Sequence, residues 1–442
     1  MENEYYLKEA PIRKSVRKLA VPMMIGMSVA TIYSVINAYF IGLLHNTAMF
    51  SAITFGLPVF VVLMAIGNVF GAGGGTFISR LAGEGNTEKC KKIAGYTFYS
   101  SIIGGIIVAI IAVIFSSFIT KILGANAQTF AYTREYIVVL FIGGFSIVLN
   151  FALEQLVRAE GASKESMYGV VISSICSLVL DPIFILYFNF NVIGAAVATI
   201  LANLGAVAYY IYFLEKKSLY LKGFLSHYKI SLSDRQEIYK VGLGELFQAI
   251  FIIIVTLLIN NFAIEYGDGV VTSFGIALRI TQIPEFLAMG VFLGLIPLFA
   301  YNFAAKNTKR MKEALKYAFT YIAVILLVFC SIVFILRNQI IRGFSNNQEV
   351  ITIGVYILSV MLLAAIFNGF TGLIIGVFQA TGQGFETMIM SILQGVSYIV
   401  VIIVLHYFFG LHGVIWSMAV TEILMCIIGG IMFIRFKRKN NL

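Results

Sequence analysis

Apolar residues run along this chain in long blocks separated by short polar clusters, and block length is the first informative quantity. A bilayer crossing needs about 20 predominantly apolar residues in helical form. Twelve blocks reach that length, at roughly 19–44, 48–79, 93–120, 135–158, 165–189, 192–214, 237–262, 270–304, 314–336, 350–379, 385–409 and 412–434. The pattern predicts an all-α polytopic membrane protein of twelve transmembrane helices. Composition agrees: 60% of the 442 residues are hydrophobic and 12% charged, more apolar than any soluble core requires. The first block is too long for a signal-peptide core and has no cleavage site after it, so it is expected to stay as the first helix.

Charge then orients the helices. A net charge of +10 would suggest nucleic acid in a soluble protein. Here the basic residues fall in short clusters on alternate loops, so membrane orientation explains them and no nucleic-acid partner is expected. Lys8, Arg13, Lys14, Arg17 and Lys18 precede the first span; Arg80, Lys89, Lys91 and Lys92 follow the second. Further clusters lie at 216–240 and 306–316 and in the tail from Arg435 to Lys439, whereas the opposite loops hold only Lys121, Arg134, Arg337 and Arg342. Both termini are therefore expected in the cytoplasm.

The longest polar segment, 215–236, divides the chain into six spans and six, giving lobes at 1–214 and 237–442 joined by a cytoplasmic linker. The halves share text. NTEKCKKIAGYTF at 86–98 reads against NTKRMKEALKYAF at 307–319, an offset of 221 residues (307 less 86). The same offset lays Ala159-Glu160-Gly161 on Ala380-Thr381-Gly382. An even number of spans per copy makes a parallel repeat about an axis along the membrane normal, a transporter architecture with substrate bound near the repeat interface.

Candidate chemistry is sparse. Cys90, Cys176, Cys330 and Cys426 are scattered without a CxxC. Of the histidines, His227 sits in the linker while His45, His406 and His412 fall near the outer surface, so no metal site is expected from them. GAGGG at 71–75 lacks the Gly-Lys-Ser/Thr of a phosphate loop, and Gly67, Gly71 and Gly75 read as a close-packing stripe. Without a nucleotide module, a nucleophile constellation or a cofactor motif, the expectation is a non-enzyme driven by an ion gradient.

Asp181, followed by Pro182 inside the fifth span, carries the main functional hypothesis, because an intramembrane acid is costly and marks function by default. At about 1.5 Å per residue, Asn37 and Asp181 lie roughly 27 and 24 Å from their cytoplasmic ends, so they can face one another in the first lobe. Glu154 precedes Arg158 at the favourable i, i+4 spacing, which suits a structural pair as well as a coupling role. Glu160 and Glu245 are expected near the cytoplasmic surface, solvated or paired. Glu285, after Pro284 and near Arg279, is the second-lobe candidate, and Glu422 is a weaker one. Asp181, Glu285, Met289, Asn203 and Asn368 are the candidate substrate-binding set. Asp181, Glu154 and Asn37 are the candidate ion-coupling set, and Asp181 with Asn37 and Asn203 would supply oxygen ligands if the ion were sodium.

These features together resemble the MATE (multidrug and toxic compound extrusion) family, in its MepA-like bacterial branch. The resemblance runs nearly end to end, through LAVPMMIG (19–26), NAYFIG (37–42), SAITFGLPVF (51–60), GAGGGTFISRLAG (71–83), LEQLVRAEGA (153–162), LDPIFI (180–185), VIGAAVATILAN (192–203), PEFLAMG (284–290), PLFAYNF (297–303), QATGQG (379–384) and GVIWS (413–417). It implies two pseudo-symmetric six-helix lobes in a V, and extrusion of amphipathic drugs and organic cations driven by inward H⁺ or Na⁺. It further implies a bacterial cytoplasmic membrane, lipid contact and a monomer. Asp181 matches the family's acid in span five and Glu154 a functional acid of the branch. Asn37 and Asn368 stand where many relatives carry aspartate, which removes two titrating positions. The alternative, a lipid-linked glycan flippase of the same topology, would need a strongly cationic cavity, and Arg279 is the one clear basic residue inside a span.

Overall fold

The computed structural model describes residues 2–42 and 46–442. Residues 43 and 44, at the end of the first expected span, and His45 lie outside them. The first half runs α1 (Glu2–Lys8), α2 (Ile12–Gly42), α3 (Thr47–Gly83), α4 (Thr87–Ile114), α5 (Ser116–Ile122), α6 (Phe130–Ile142), α7 (Gly144–Ala159), α8 (Ser163–Pro182) and α9 (Asn191–Lys216). The second half runs α10 (Leu232–Ile264), α11 (Asp268–Ala304), α12 (Thr308–Phe344), α13 (Gln348–Ala380), α14 (Gly384–Phe409) and α15 (Leu411–Lys439). Eleven of these helices are long and apolar enough to cross a membrane, or twelve if α6 and α7, bent by 52°, count as one span.

Three spans depart from unbroken helix. The third stops at Ile114 and restarts beyond Phe115 as α5. The fourth breaks at Gly143 and Gly144, where a Cβ on Gly143 would lie 2.2 Å from Ile200 Cδ1 of α9. A glycine pair crowded by a neighbouring helix is a recognised kink site. The fifth winds into a π-helical turn, Ile183–Tyr187, directly after Pro182. Proline has no N–H to continue the ladder, so the freed carbonyls re-pair at a wider spacing.

The repeat seen in the sequence is turn chemistry. Asn86 caps α4 by accepting from the Lys89 N–H, and Asn307 caps α12 by accepting from the Arg310 N–H. Gly161 and Gly382, each in the turn before a helix, have φ of +75° and +74°. Packing repeats too: α3 on α7 corresponds to α11 on α13, α2 on α8 to α10 on α14, and α8 on α9 to α14 on α15. The halves meet through α2 on α11 and α3 on α10, one contact being the symmetry image of the other.

Close approach decides where the small residues go. A Cβ on Gly67, Gly71 or Gly75 would fall 2.5–2.9 Å from backbone atoms of Val148, Ala152 or Gln155, so that stripe seats α3 on α7. Gly73 points the other way, towards α10, with the Ile238 carbonyl 2.1 Å from where its Cβ would be.

Candidate functional site

Asp181 is fully buried, at 0% exposure. Its Oδ2 accepts a 2.6 Å hydrogen bond from Asn37 Nδ2 and a 3.3 Å bond from the Tyr33 hydroxyl. Asn37 Nδ2 also reaches Tyr33 Oη at 3.2 Å, closing a three-residue cluster between α2 and α8. Tyr33 and Asn37 are one helical turn apart on the same face of α2. Ser177, a turn before Asp181 on α8, is buried beside the cluster. Asp181 Oδ1 is buried without a hydrogen-bond partner, and no ion pair to Asp181 occurs among the described residues. The π-helical turn begins two residues on. The site is a buried carboxyl held on one oxygen by neutral donors, beside backbone that is not locked in α-helical register.

Asn203, the third member of the sodium set, is engaged elsewhere. Asn150 Nδ2 donates to its Oδ1 at 2.8 Å, and its own Nδ2 donates to the Thr199 carbonyl. Glu154 is buried against Arg158, with Oε1 3.0 Å from the guanidinium at exposures of 9% and 2%. An arginine at that distance favours the ionised carboxylate.

Glu160 is buried and paired rather than solvated. It accepts from the Ser218 hydroxyl and the Tyr220 and Leu221 N–H groups, tying the linker to the α7–α8 turn. Burial pushes its carboxyl up from the ordinary glutamate range, against those donors. Glu245 takes a 3.1 Å bond from Gln379.

In the second lobe Glu285 of α11 and Asn368 of α13 are neighbours, two candidates the structure brings together. Met289 lies one turn further along α11, half-buried. Arg279 is exposed and forms no ion pair with Glu285. Glu422 accepts from Gln394 Nε2 at 2.8 Å. Sequence reasoning missed Tyr33, Gln379 and Gln394. Tyr33 was signalled by its one-turn spacing from Asn37; the two glutamines meet their acids only through tertiary packing.

The lobes are joined at the end that carries the basic clusters. Arg80 of α3 pairs with Glu237 of α10 at 2.8 Å, Lys89 with Asp234 at 2.6 Å, and Tyr96 Oη meets Tyr239 Oη at 3.1 Å. Here too α1 acts as a strap. The Arg310 guanidinium donates to the Tyr6, Leu7 and Ala10 carbonyls, Asn302 donates to Leu7, and the buried Leu7 side chain lies against Gly161 of the first lobe. The glycine contacts at Gly73, Gly83, Gly242 and Gly294 cross between the lobes at the same end. A cavity of about 380 Å³ walled by Lys312, Lys316, Lys437, Phe319 and Phe433 also opens at that end, remote from Asp181 in sequence and in fold.

A duplicated bundle of apolar helices with a neutral-donor carboxyl in its interior is the build of a membrane transporter. The MatE family model matches residues 22–183 and again 246–408, once in each half, and the chain belongs to the MATE family. Over 441 residues it is 38% identical to the multidrug export protein MepA of Staphylococcus haemolyticus, covering 100% of this chain and 97% of that one. It is likewise 38% identical to MepA of Staphylococcus aureus over 437 residues, 99% and 96% of the two chains. Among solved structures it is similar to a MATE in complex with MaD3S, with a TM-score of 0.91, 26% identity and 99% of each chain covered. An outward-facing multidrug resistance MATE transporter of the MOP superfamily gives 0.92 at 25% identity, again over 99% of each chain.

Proposed function

We propose that this protein exports amphipathic organic cations and related drugs in exchange for protons, with Asp181 as the group that changes hands. The observation that carries the reading is the Asp181 cluster: a fully buried carboxyl with neutral donors on Oδ2, nothing on Oδ1 and, among the described residues, no ion pair. Desolvation weighs against an isolated buried charge, and a proton or a cationic drug relieves it equally well. Two ligands that relieve the same charge compete, and each weakens the other by one coupling energy, which is antiport. Glu154, fixed by Arg158, serves structure rather than exchange.

The clustering of basic residues supports an orientation with the strapped end and both termini in the cytoplasm. Sealed there, the protein adopts the state that faces outward, ready to load a proton from outside. The full-length likeness to MepA multidrug export proteins supports drugs as cargo. Sodium coupling is less well supported, since the Asn203 oxygen it would call on is taken by Asn150. A glycan flippase is less well supported too, since it would need a strongly cationic cavity and Arg279 is the one clear basic residue inside a span.

Dye efflux from cells is the test, with the proton and sodium gradients collapsed separately. Loss on proton collapse alone is expected; efflux that survives it and fails on sodium collapse would overturn proton coupling.

A further inference from the structure

Two acids inside spans of the second lobe share a partner type. Glu245 is held by Gln379 and Glu422 by Gln394, each a carboxyl on a carboxamide, and Glu285 has the carboxamide of Asn368 in its neighbourhood. The chemistry of that pairing differs from a salt bridge. A guanidinium donates only, so it can serve the ionised carboxylate alone, the arrangement of Arg158 on Glu154. A carboxamide donates through its NH₂ to a carboxylate and, turned over, accepts the O–H of a carboxylic acid through its carbonyl. It therefore satisfies both protonation states.

Glu422 is the most completely enclosed of these three by residue exposure, at 8%, midway along α15. Oε1 takes the Gln394 bond, and Oε2 is buried with no partner. The groups around it include no cation among the described residues. Gln394 faces it from α14, Glu285 of α11 is the charged group within electrostatic reach, and Cys426 lies on its own helix. Cys330 lies on α12 and Asn368 on α13, and Glu245 of α10 is occupied with Gln379. A carboxylate in a membrane interior with one oxygen buried and unpartnered is costly, and one proton removes that cost.

We infer that Glu422 with Gln394 is a second proton-binding site, in the lobe opposite Asp181, occupied in the conformation whose basic end is sealed. It rests on the reading of the chain as a proton exchanger. In the last span of each half the register set by Gly194 on Gly413 lays Glu422 on Asn203, a neutral amide, so the first lobe has no acid at this position.

Infrared absorption of the purified full-length protein in lipid nanodiscs tests this, with ¹³C-labelled glutamate separating glutamic-acid bands from those of Asp181. Wild type at neutral pH is expected to show a protonated glutamic-acid band that Glu422→Gln diminishes and Glu154→Gln leaves intact. Gln394→Leu keeps the acid but removes its partner, and should shift the frequency of the same band. A band identical in wild type, Glu422→Gln and Gln394→Leu would overturn the proposal. The spectrum needs no transport, so a failure here is distinct from a failure of Asp181 coupling, which shows instead as normal efflux by Asp181→Asn.

Discussion

The two lobes share a backbone plan and differ in their buried polar groups. Adding 221 to Asp181 gives Ile402, an apolar residue of α14 at 0% exposure. The same step takes Glu154 to Ile375 and Arg158 to Gln379. Conversely, Glu285 falls on Met64 of the first half, and Glu422, in the register of Gly413 on Gly194, falls on Asn203. The caps, the left-handed glycines and the helix pairings are duplicated; the acids are not. Helix ends and packing have to be solved identically in each copy of a repeat, because backbone satisfaction leaves little choice. A buried acid is tolerated only where it is used or paired, so each copy keeps its own. Inside its spans the first lobe holds Asp181 with a tyrosine and an asparagine and Glu154 with an arginine, whereas the second lobe sets Glu245 and Glu422 on carboxamides.

Substitutions can break this comparison. The largest effect should come from Asp181→Asn. Removing the exchanging group abolishes a coupling energy of about 1–3 kcal/mol, so drug efflux measured with an imposed proton gradient should fall roughly 5- to 150-fold. Next is Glu154→Gln, which leaves the Arg158 charge uncompensated in the interior. About 3 kcal/mol of stability should be lost in thermal or denaturant unfolding in detergent, while the protein that survives keeps the wild-type pH dependence of transport. A changed pH profile would move Glu154 from the structural to the exchanging class.

Gly73→Leu is third. Its side chain would enter the space held by the Ile238 carbonyl, and overpacking of that kind costs about 1–3 kcal/mol. The cost falls on the seal between the lobes, so labelling of a cysteine placed at the basic end should speed up as stability drops. Arg80→Ala is expected to be smallest. The Arg80–Glu237 pair is partly exposed, and its loss should cost about 1 kcal/mol, read as a modest rise in the same labelling rate.

Much of the scaffold was legible in the sequence, for physical reasons that can be named. Hydrophobic block length gave the spans, since bilayer thickness leaves no freedom there. The kinks were partly hidden. Pro182 announces a weak point, yet nothing local says that the chain answers it with a π-helical turn. Gly143 breaks its span because Ile200, more than fifty residues away, presses on it. At the site, depth counting alone allowed Asn37 to meet Asp181, and the 2.6 Å bond is that meeting. Asn203, midway along α9, turned instead to Asn150, because rotation about a helix axis is set by packing. The strap of α1 across Arg310 was invisible for the same reason, being made of backbone carbonyls that carry no sequence identity.

Drug-induced proton release from purified protein, followed with a pH-sensitive dye in weakly buffered detergent solution, tests the exchange at Asp181 most directly. Adding a cationic drug should expel protons from wild type, and Asp181→Asn should release measurably fewer at the same drug occupancy. Equal release from both proteins, or none from wild type while drug binds, would contradict the account.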